Sequence, residues 1–486
     1  KQSKIAYTSC DHVLIPKVTE LFDKLYNRRM RLRLIGVRFS GLIRGTYQID
    51  LFDDTTEMMS LYQAIDKMKN KFGFDSVMRC TGASIKPKID KNISYIDAKY
   101  IVDKILKTKK MNTSLVQKYN IPGPRYTSYP TVPFWDKEGI DLKDWKSSVK
   151  KSFNESNESE GISLYIHLPF CESLCTFCAC HKKITKRHEV EQPYMDTVLK
   201  EWDLYCDMLG DRPKIREIHL GGGTPTFFTP DNLKNLITSL FINAEKAQDF
   251  EFSFEGHPNN TSKEHLQKLY DLGFRRVSFG VQDYSEKVQK AIHREQPFLN
   301  VAKVTLWARE IGYTSIGHDI IFGLPFQEVK EVVDTIEKTK SLQPDRLAFY
   351  SYAHVPWIKG NGQRGFKDED IPKNHQKRLL YEIGKKSLFE NGYYEIGMDH
   401  FALKNDSLYK AFENGELHRN FMGYSSSKTQ LMIGLGVSSI SDSWYSFAQN
   451  TKNLEEYYEL LEKDNLPIYR GHLLTSKDLV IRKHIL

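Results

Sequence analysis

Short apolar runs of strand length alternate with longer intervals of helical spacing along the last two thirds of the chain. The predicted strands cover residues 162–168, 215–220, 251–255, 275–280, 316–322 and 345–350. This alternation predicts an α/β fold with a parallel sheet that closes fully or partly into a barrel. Because barrel sites lie at the C-terminal ends of the strands, candidate chemistry is expected just after each run.

Residues 1–90 have a different pattern, that of a small α+β unit. Apolar positions at helical spacing predict helices over 13–26 and after Asp54, and alternation over 31–39 predicts a strand. The predicted parts are an α+β domain at 1–90, a basic linker at 91–110, an entry segment at 111–160, a barrel at 161–400 and the start of a C-terminal region at 401–486.

Charge and cysteine usage separate these parts further. The 486 residues carry a net charge of +8, but residues 1–110 alone hold 22 Lys and Arg against 12 Asp and Glu, a net of +10. The two parts are therefore expected to meet different partners. No apolar run reaches the ~18 residues of a membrane span, and no signal peptide opens the chain. Seven cysteines in so long a chain make no disulfide scaffold, which predicts a reducing, cytoplasmic setting.

Four cysteines fall within ten residues directly after the first predicted strand. Cys171, Cys175 and Cys178 have the spacing C-x3-C-x2-C, and Cys180 follows. Zinc sites usually pair two such knuckles, and the sequence has no second one. Three thiolates suit three irons of a [4Fe–4S] cluster, since electron-transfer clusters normally use four. The spacing therefore predicts a cluster whose fourth iron takes a small-molecule ligand.

A glycine run, Gly221-Gly222-Gly223, follows the second predicted strand and so lies at the same mouth as the cysteines. Glycine runs alone usually mark turns, but here the backbone could come close to a ligand. The amino and carboxylate groups of S-adenosylmethionine suit an open iron. One electron passed from the cluster to the sulfonium of this ligand would yield a 5′-deoxyadenosyl radical, so radical chemistry is expected at this mouth.

Motifs in a fixed order extend this pattern from about residue 111 to residue 486. They are the cysteine run 165–180 and the segments 119–130, 221–226, 280–283, 293–296, 319–325, 352–354, 397–401 and 418–424. Together they resemble the oxygen-independent coproporphyrinogen III oxidases, a family of radical S-adenosylmethionine enzymes. The resemblance implies a partial parallel (β/α) barrel. It also implies decarboxylation of two propionates of coproporphyrinogen III, giving protoporphyrinogen IX in anaerobic heme biosynthesis.

The resemblance also assigns roles by position. It implies that Cys171, Cys175 and Cys178 bind the cluster and that Cys180, His167 and Tyr165 act in catalysis. It implies two S-adenosylmethionine molecules, lined by Tyr165, Phe177, Gly222, Gly223, Thr224, Glu255, Gln282, Arg294, Asp319, Ala353 and Ile440. His257 replaces an acidic residue of the family and receives no role.

The resemblance leaves an alternative and several partners open. Heme-chaperone-like paralogues keep the three-cysteine motif but lack Cys180 and the segment 123–130, so they are the alternative interpretation. The electron donor and acceptor are unknown, and a monomer is expected. The family continues beyond residue 486 into a region that covers its active site, so a chain ending at this residue is expected to leave the cluster exposed.

The first 90 residues resemble an unrelated family, through residues 32–42 and 71–79. These are similar to the little-finger domain of Y-family DNA polymerase IV, whose basic sheet grips duplex DNA. Residues 48–52 also resemble a sliding-clamp docking pentapeptide. The polymerase palm is absent from this sequence, so no nucleotide transfer is expected. The junction at Met111 predicts either a fused DNA- or clamp-binding module or two neighbouring genes misjoined, and the missing initial Met predicts a start further upstream.

Overall fold

The chain divides into two units, Lys1–Asn112 and Thr113–Leu486. The computed structural model describes residues 17, 18, 20, 128–135, 140–356, 363 and 365–485. In the first unit the described residues are helical, as predicted for 13–26. The other predictions for 1–90, the linker at 91–110 and the segment 119–127 lie outside the described residues.

Helices and strands alternate along most of the described part of the second unit. The helices are α1 (Leu142–Ser156), α2 (Glu191–Leu209), α3 (Pro230–Leu240), α4 (Lys263–Asp271), α5 (Glu286–Ala291), α6 (Phe298–Ile311), α7 (Val329–Leu342), α8 (Asn374–Glu390), α9 (Ser407–Glu413), α10 (Leu454–Glu462) and α11 (Ser476–Ile485). The strands are β1 (Ile162–Leu168), β2 (Phe170–Cys171), β3 (Lys183–Ile184), β4 (Lys214–Gly222), β5 (Glu245–Gly256), β6 (Phe274–Gln282), β7 (Ser315–Phe322), β8 (Arg346–Ser351), β9 (Tyr394–Gly397), β10 (His400–Ala402), β11 (His418–Asn420), β12 (Gly423–Ser425), β13 (Leu431–Leu435), β14 (Ile440–Ser443), β15 (Ser446–Asn450) and β16 (Ile468–Leu473). Within the described ranges, none of these helices is long and apolar enough to cross a membrane.

One large sheet holds twelve of the strands, in the order β16-β15-β14-β13-β1-β4-β5-β6-β7-β8-β10-β9. The strands from β13 to β8 run parallel, and those outside them pair antiparallel. The six strands predicted from the sequence are β1 and β4 to β8. The order is linear, so the described sheet is open and the barrel is partial, which confirms the predicted fold class.

The sheet has two faces of opposite character because successive residues of a strand alternate between them. On the outer face, Ile162, Leu164 and Ile166 of β1 are fully buried in one apolar core that includes Val198 and Trp202 of α2. Ser163, Tyr165 and His167 alternate with them, which places polar side chains on the inner face of the same strand.

The inner face is covered at its N-terminal end by residues 418–427, called the interior hairpin below, which contain β11 and β12. The buried carboxylate of Glu217 accepts hydrogen bonds from Ser163 (2.6 Å) on β1 and from Ser425 and Ser427 (2.5 Å) of the hairpin. Ser426 donates to Glu251 of β5 at 3.1 Å. Serine hydroxyls thus satisfy the carboxylates that the barrel buries at this end.

Replacing Glu217 by Ala is expected to remove the acceptor that these buried hydroxyls share, although Ser163 keeps a second partner in Thr429 at 2.7 Å. We expect the free energy of unfolding to fall by about 2–4 kcal/mol, since each stranded group costs about 1–3 kcal/mol. Urea unfolding of the full chain followed by tryptophan fluorescence measures the change. Glu245→Ala, at an exposed site near the start of β5, is the control, and an equal effect of the two variants would contradict this account.

Candidate active site

The cysteine loop leaves the sheet at the C-terminal end of β1. It is closed at its base by the parallel pairing of β2 with β3, and the Nζ atom of Lys182 donates to the carbonyls of Cys178 (3.1 Å) and Cys180 (3.3 Å). The glycine run at the end of β4 lies beside it, because the amide of Gly223 donates to Leu168 O at 2.8 Å. The two sequence landmarks therefore share one mouth, as predicted.

The thiols of the loop are free and influence one another. Burial raises the pKa of Cys171 to about 11, its hydrogen bond with Thr224 (3.2 Å) opposes this, and the charges of Cys178 and Cys175 raise the pKa further. A hydrogen bond from Cys180 is the main cause that lowers the pKa of Cys178 to about 6. Burial thus favours the thiol at Cys171, and hydrogen bonding favours the thiolate at Cys178.

This donor set fits an iron–sulfur cluster better than a single metal ion. Within the described residues, no three His, Cys, Asp or Glu side chains converge closely enough to hold one ion. A cubane cluster does not need that convergence, because each thiolate binds a different iron. The free thiols of Cys171, Cys175 and Cys178 are the residues that would hold it.

Neighbouring atoms leave little room for a side chain at the three positions of the glycine run. An added Cβ at Gly222, where φ is 113°, would lie 2.8 Å from the His167 ring, and one at Gly223 would lie 2.5 Å from Pro169 O. At Gly221 it would lie 3.1 Å from the Tyr165 ring. Glycine is therefore required along this edge, because the backbone at the end of β4 packs directly against His167 and Pro169.

Tyr165 and His167 form a buried hydrogen-bonded pair on the inner face of β1. The Nε2 atom of His167 lies 3.0 Å from His181 O and so donates to it, since a carbonyl can only accept. The Nδ1 atom therefore accepts the bond from the Tyr165 hydroxyl at 3.1 Å. Burial lowers the pKa of His167 to about 4 and raises that of Tyr165, so both side chains are neutral at pH 7.

Two carboxylates, from the strands on either side of β6, face the same region. Burial, and then the charge of Glu255 on β5, raise the pKa of Asp319 on β7 to about 7, although Ser278 donates to Asp319 at 3.1 Å. The Nε2 atom of His219 lies 3.5 Å from Glu255, and its ring stacks on Tyr165 with centroids 6.0 Å apart. The mouth therefore has an acidic side that a bound cation would stabilise.

Arg294 ties the cysteine loop to β6. Its Nη2 donates to Gly280 O at 2.7 Å, its Nη1 lies 3.7 Å from the sulfur of Cys175, and its buried Nε has no hydrogen-bond partner. Gln282, in the left-handed region at φ 67°, ends the same strand. An added Cβ at Gly280 would meet both side chains, at 2.7 Å from Gln282 and 2.9 Å from Arg294.

Phe177 and Ala353 are joined by a residue that sequence reasoning missed. The buried Gln363 side chain donates to both of their carbonyls at 3.0 Å and accepts from the amide of Val355 at 2.6 Å. Gln363 thereby fixes the cysteine loop to the segment after β8. Its role depends on contacts across 186 residues of chain, so no local pattern could indicate it.

The structure connects most of the predicted site residues directly and Ile440 only through other residues. Contacts or mutual charge effects link the cysteines, Tyr165, His167, Glu255, Asp319, Arg294, Gly222, Gly223 and Thr224. Ile440 is at the start of β14, and its carbonyl is close to Gly434 of β13. Gly434 pairs in register with Tyr165 of β1, so Ile440 is connected to the site through β13. His219, which sequence reasoning missed, could have been found by strand alternation with Gly221.

Comparisons with known proteins agree with this geometry. Residues 165–339 match the family model of the Radical SAM superfamily, so sheet and cysteine loop define a radical SAM protein. The chain is 41% identical over 372 residues to the oxygen-independent coproporphyrinogen III oxidase of Helicobacter pylori strain J99, which covers 76% of this chain and 80% of that protein. The Escherichia coli K12 protein of the same name is 37% identical over 369 residues, covering 76% and 79%.

A solved structure and a second family model complete the comparisons. The structure of coproporphyrinogen III oxidase from Escherichia coli, described as a radical SAM enzyme, superposes with a TM-score of 0.71 at 34% identity, covering 77% of this chain and 83% of that one. The chain belongs to the oxygen-independent coproporphyrinogen III oxidase family. Residues 1–51 match the C-terminal domain of the impB/mucB/samB family, in agreement with the predicted polymerase-like N-terminus.

The raised pKa of Asp319 predicts a pH-dependent stability of the cofactor-free protein. Because the folded state keeps the proton that the unfolded state releases near pH 4, stability is fully present below pH 4 and is lost as pH rises through 7. Between pH 5 and 7 the free energy of unfolding should fall by about 2 kcal/mol relative to that of Asp319→Asn, at ~1.4 kcal/mol per pH unit. Urea unfolding at several pH values measures this. Asp334→Asn, at an exposed site on α7, should run parallel to wild type.

Proposed function

We propose that residues 113–486 catalyse the oxygen-independent decarboxylation of coproporphyrinogen III to protoporphyrinogen IX. The observation that carries this is the cysteine loop Cys171–Cys180 at the mouth of a radical SAM barrel, in a chain of this oxidase family. In each of two propionate side chains, a hydrogen atom is taken from the β-carbon. The carboxylate then leaves as carbon dioxide with one electron, so a vinyl group forms and an acceptor takes the electron.

The chain holds its cofactors through several groups of residues around the mouth. Cys171, Cys175 and Cys178 hold the [4Fe–4S] cluster, and the glycine run at 221–223 receives S-adenosylmethionine with its backbone. When bound, cluster and S-adenosylmethionine supply the carbon-centred radical that removes the hydrogen atom. The acidic pair Glu255 and Asp319 faces the positive charges of this ligand, and Arg294 can pair with its carboxylate. Two S-adenosylmethionine molecules bind, with Tyr165, Phe177, Thr224, Gln282, Ala353 and Ile440 as the remaining lining residues.

Tyr165 and His167 position the reacting groups and stay neutral. The hydrogen bond to His181 O fixes the imidazole tautomer, and the imidazole in turn fixes the Tyr165 hydroxyl. A neutral pair next to the cysteine loop neither donates nor takes a proton at pH 7. Its role is therefore orientation and exclusion of water around the radical.

Cys180 is not needed as a cluster ligand and acts on the substrate. Its hydrogen bond with Cys178, the charge of Cys178 and burial all raise its pKa, so the side chain is a thiol. A thiol has a weak S–H bond that can give a hydrogen atom, and the thiyl radical that this leaves can take one. We propose that it assists the substrate step.

Cysteine variants separate these roles in one anaerobic experiment. After reconstitution with iron and sulfide, Cys175→Ala should lack the cluster absorbance and form no detectable 5′-deoxyadenosine from S-adenosylmethionine and dithionite. Cys180→Ser should keep the cluster and still form 5′-deoxyadenosine, but its rate of protoporphyrinogen formation should fall at least tenfold.

Cys206→Ser, on α2 away from the mouth, is the matched control and should behave as wild type. A Cys175→Ala chain that still makes 5′-deoxyadenosine would contradict the cluster assignment. A wild-type rate of decarboxylation by Cys180→Ser would contradict the proposed role of Cys180 in the substrate step and leave the cluster assignment intact.

For residues 1–90 we propose a binding function, carried by the match of residues 1–51 to the polymerase-associated domain and by the net charge of +10 over 1–110. A basic domain of this kind binds duplex DNA through phosphate contacts, or docks on a sliding clamp through 48–52. A fused or misjoined origin of this domain, a cytoplasmic location and a monomeric state remain the predictions made from the sequence.

This binding function predicts a salt-dependent mobility shift of duplex DNA by the full chain. Reversal of two charges, Arg31→Glu with Arg33→Glu, should weaken the shift at least tenfold at about 50 mM salt. Lys287→Glu with Lys303→Glu in the second unit is the control of equal charge. If wild-type chain gives no shift at low salt, or the control weakens it equally, the DNA contact is wrong.

A further inference from the structure

A basic strip follows the cysteine loop on the surface of the second unit. It comprises residues 183–187 and holds three cations and no acidic residue. Lys186 and Arg187 are exposed, and no carboxylate of the described residues lies within ion-pair distance of either. Residues 111–486 as a whole carry a net charge of −2, which is what remains of the total of +8 without the +10 of residues 1–110. The strip is therefore a local excess of positive charge.

The backbone of the strip is hydrogen-bonded to that of Cys171, one of the three residues that would hold the cluster. β3 pairs in parallel with β2, and Ile184 is the register partner of Cys171. The amide of Thr185 donates to Cys171 O at 2.9 Å, and that of Lys183 donates to Pro169 O at 2.8 Å. Neighbouring strands lie about 4.8 Å apart, so a molecule that contacts Ile184 comes within roughly one residue's width of Cys171.

The strip lies on the helical side of the sheet rather than on its inner face. Lys183 reaches the exposed Glu455 of α10 at 3.7 Å. The ring of His188, just after the strip, stacks on that of Phe227 with centroids 4.6 Å apart. Phe227 belongs to the apolar core on the outer face of the sheet. A partner bound to the strip would therefore leave the mouth free for S-adenosylmethionine and the substrate.

An open groove continues the strip and adds apolar contact surface. Its volume is about 610 Å³, and it is lined by Arg187, Glu189, Val190, Pro193 and Tyr458. Because Arg187 belongs to both, the groove and the strip form one surface. Within the strip, Ile184 is 46% exposed. Apolar side chains with charged ones around them are the composition of a protein–protein interface, which has an apolar core and a polar rim.

We infer that the basic strip and this groove are the docking surface of an acidic electron-donor protein. The inference rests on the proposed function, because each cleavage of S-adenosylmethionine consumes one electron. The donor is a small acidic protein that carries a one-electron group of low potential. It loses one electron, the cluster gains that electron, and no atom is transferred. Opposite charges speed the encounter, and the small, transient interfaces of electron-transfer partners let the donor leave after each transfer.

The test uses the full reconstituted chain and, as the probe, a flavodoxin, a small acidic flavin protein. The variant is Lys186→Glu with Arg187→Glu. At about 20 mM salt its dissociation constant for flavodoxin should be at least ten times that of wild type, because attraction becomes repulsion. Reduced flavodoxin should bleach the cluster absorbance at least ten times more slowly. Dithionite is small and needs no docking surface, so dithionite-driven formation of 5′-deoxyadenosine should stay at the wild-type level.

Lys146→Glu with Lys150→Glu is the matched control, because it reverses the same charge at two exposed positions of α1. A Cβ added at Gly210 would lie 3.6 Å from Lys150 Nζ, so Lys150 is at the opposite end of α2 from Pro193 of the groove. The control should bind flavodoxin and accept its electron as wild type does. Residues 1–110 are basic as well, so a control of equal charge is needed to locate the binding surface.

Several results would overturn the inference and leave the proposed function intact. One is a wild-type chain that does not bind flavodoxin at low salt, and another is a variant with wild-type affinity and reduction rate. An equal loss in the control would show that only net charge matters. Loss of dithionite-driven 5′-deoxyadenosine in the variant would assign the two residues to the cofactor site instead.

Two further measurements separate the docking surface from the substrate site. Weaker binding of coproporphyrin III, the stable oxidised form of the substrate, with unchanged flavodoxin binding would assign the strip to substrate carboxylates and contradict the inference. A wild-type chain that forms 5′-deoxyadenosine with dithionite but no protoporphyrinogen would refute the proposed function alone, because docking is measured by flavodoxin binding and cluster reduction.

Discussion

The barrel depends on the hydrogen bonds that satisfy the carboxylates buried at its inner face. Glu217 is the clearest case, because three serine hydroxyls from two distant parts of the chain converge on one carboxylate. A parallel sheet covered by helices on its outer face needs a cover on the inner face as well. The interior hairpin supplies it, and the Glu217 bonds hold the hairpin in place. The interior hairpin therefore forms a fixed lower boundary for the mouth at the C-terminal ends of the strands.

Much of the fold could be predicted from local pattern. The apolar runs that became β1 and β4 to β8 are strands with an apolar outer face, so their period and length were informative on their own. β13 could not be placed beside β1 in this way, because nothing in residues 431–435 indicates a partner some 270 positions earlier. The interior hairpin was missed for the same reason, since its serines and its short strands have meaning only against Glu217 and Glu251.

The site shows the same division. The cysteine spacing and the glycine run are local signals, and the structure brings both to one mouth. Gln363, whose role depends on contacts across 186 residues of chain, carries no local signal at all. Strand alternation is the intermediate case: once Gly221 is placed on the inner face, His219 must share it. Alternation could therefore have extended the predicted site by one side chain, but not by Gln363, which comes from a distant segment.

The charges of the mouth are divided between ligand groups of opposite sign. Burial, and then the charge of Glu255, raise the pKa of Asp319, so this acidic side favours the positively charged sulfonium of S-adenosylmethionine. Arg294, which donates to Gly280 O and has a buried Nε without a hydrogen-bond partner, favours a carboxylate. S-adenosylmethionine carries groups of both signs, so a mouth with one sign of charge could not hold its sulfonium and its carboxylate together. Separation of the two charges along the inner face lets one mouth bind both, with the neutral pair Tyr165 and His167 near the acidic side.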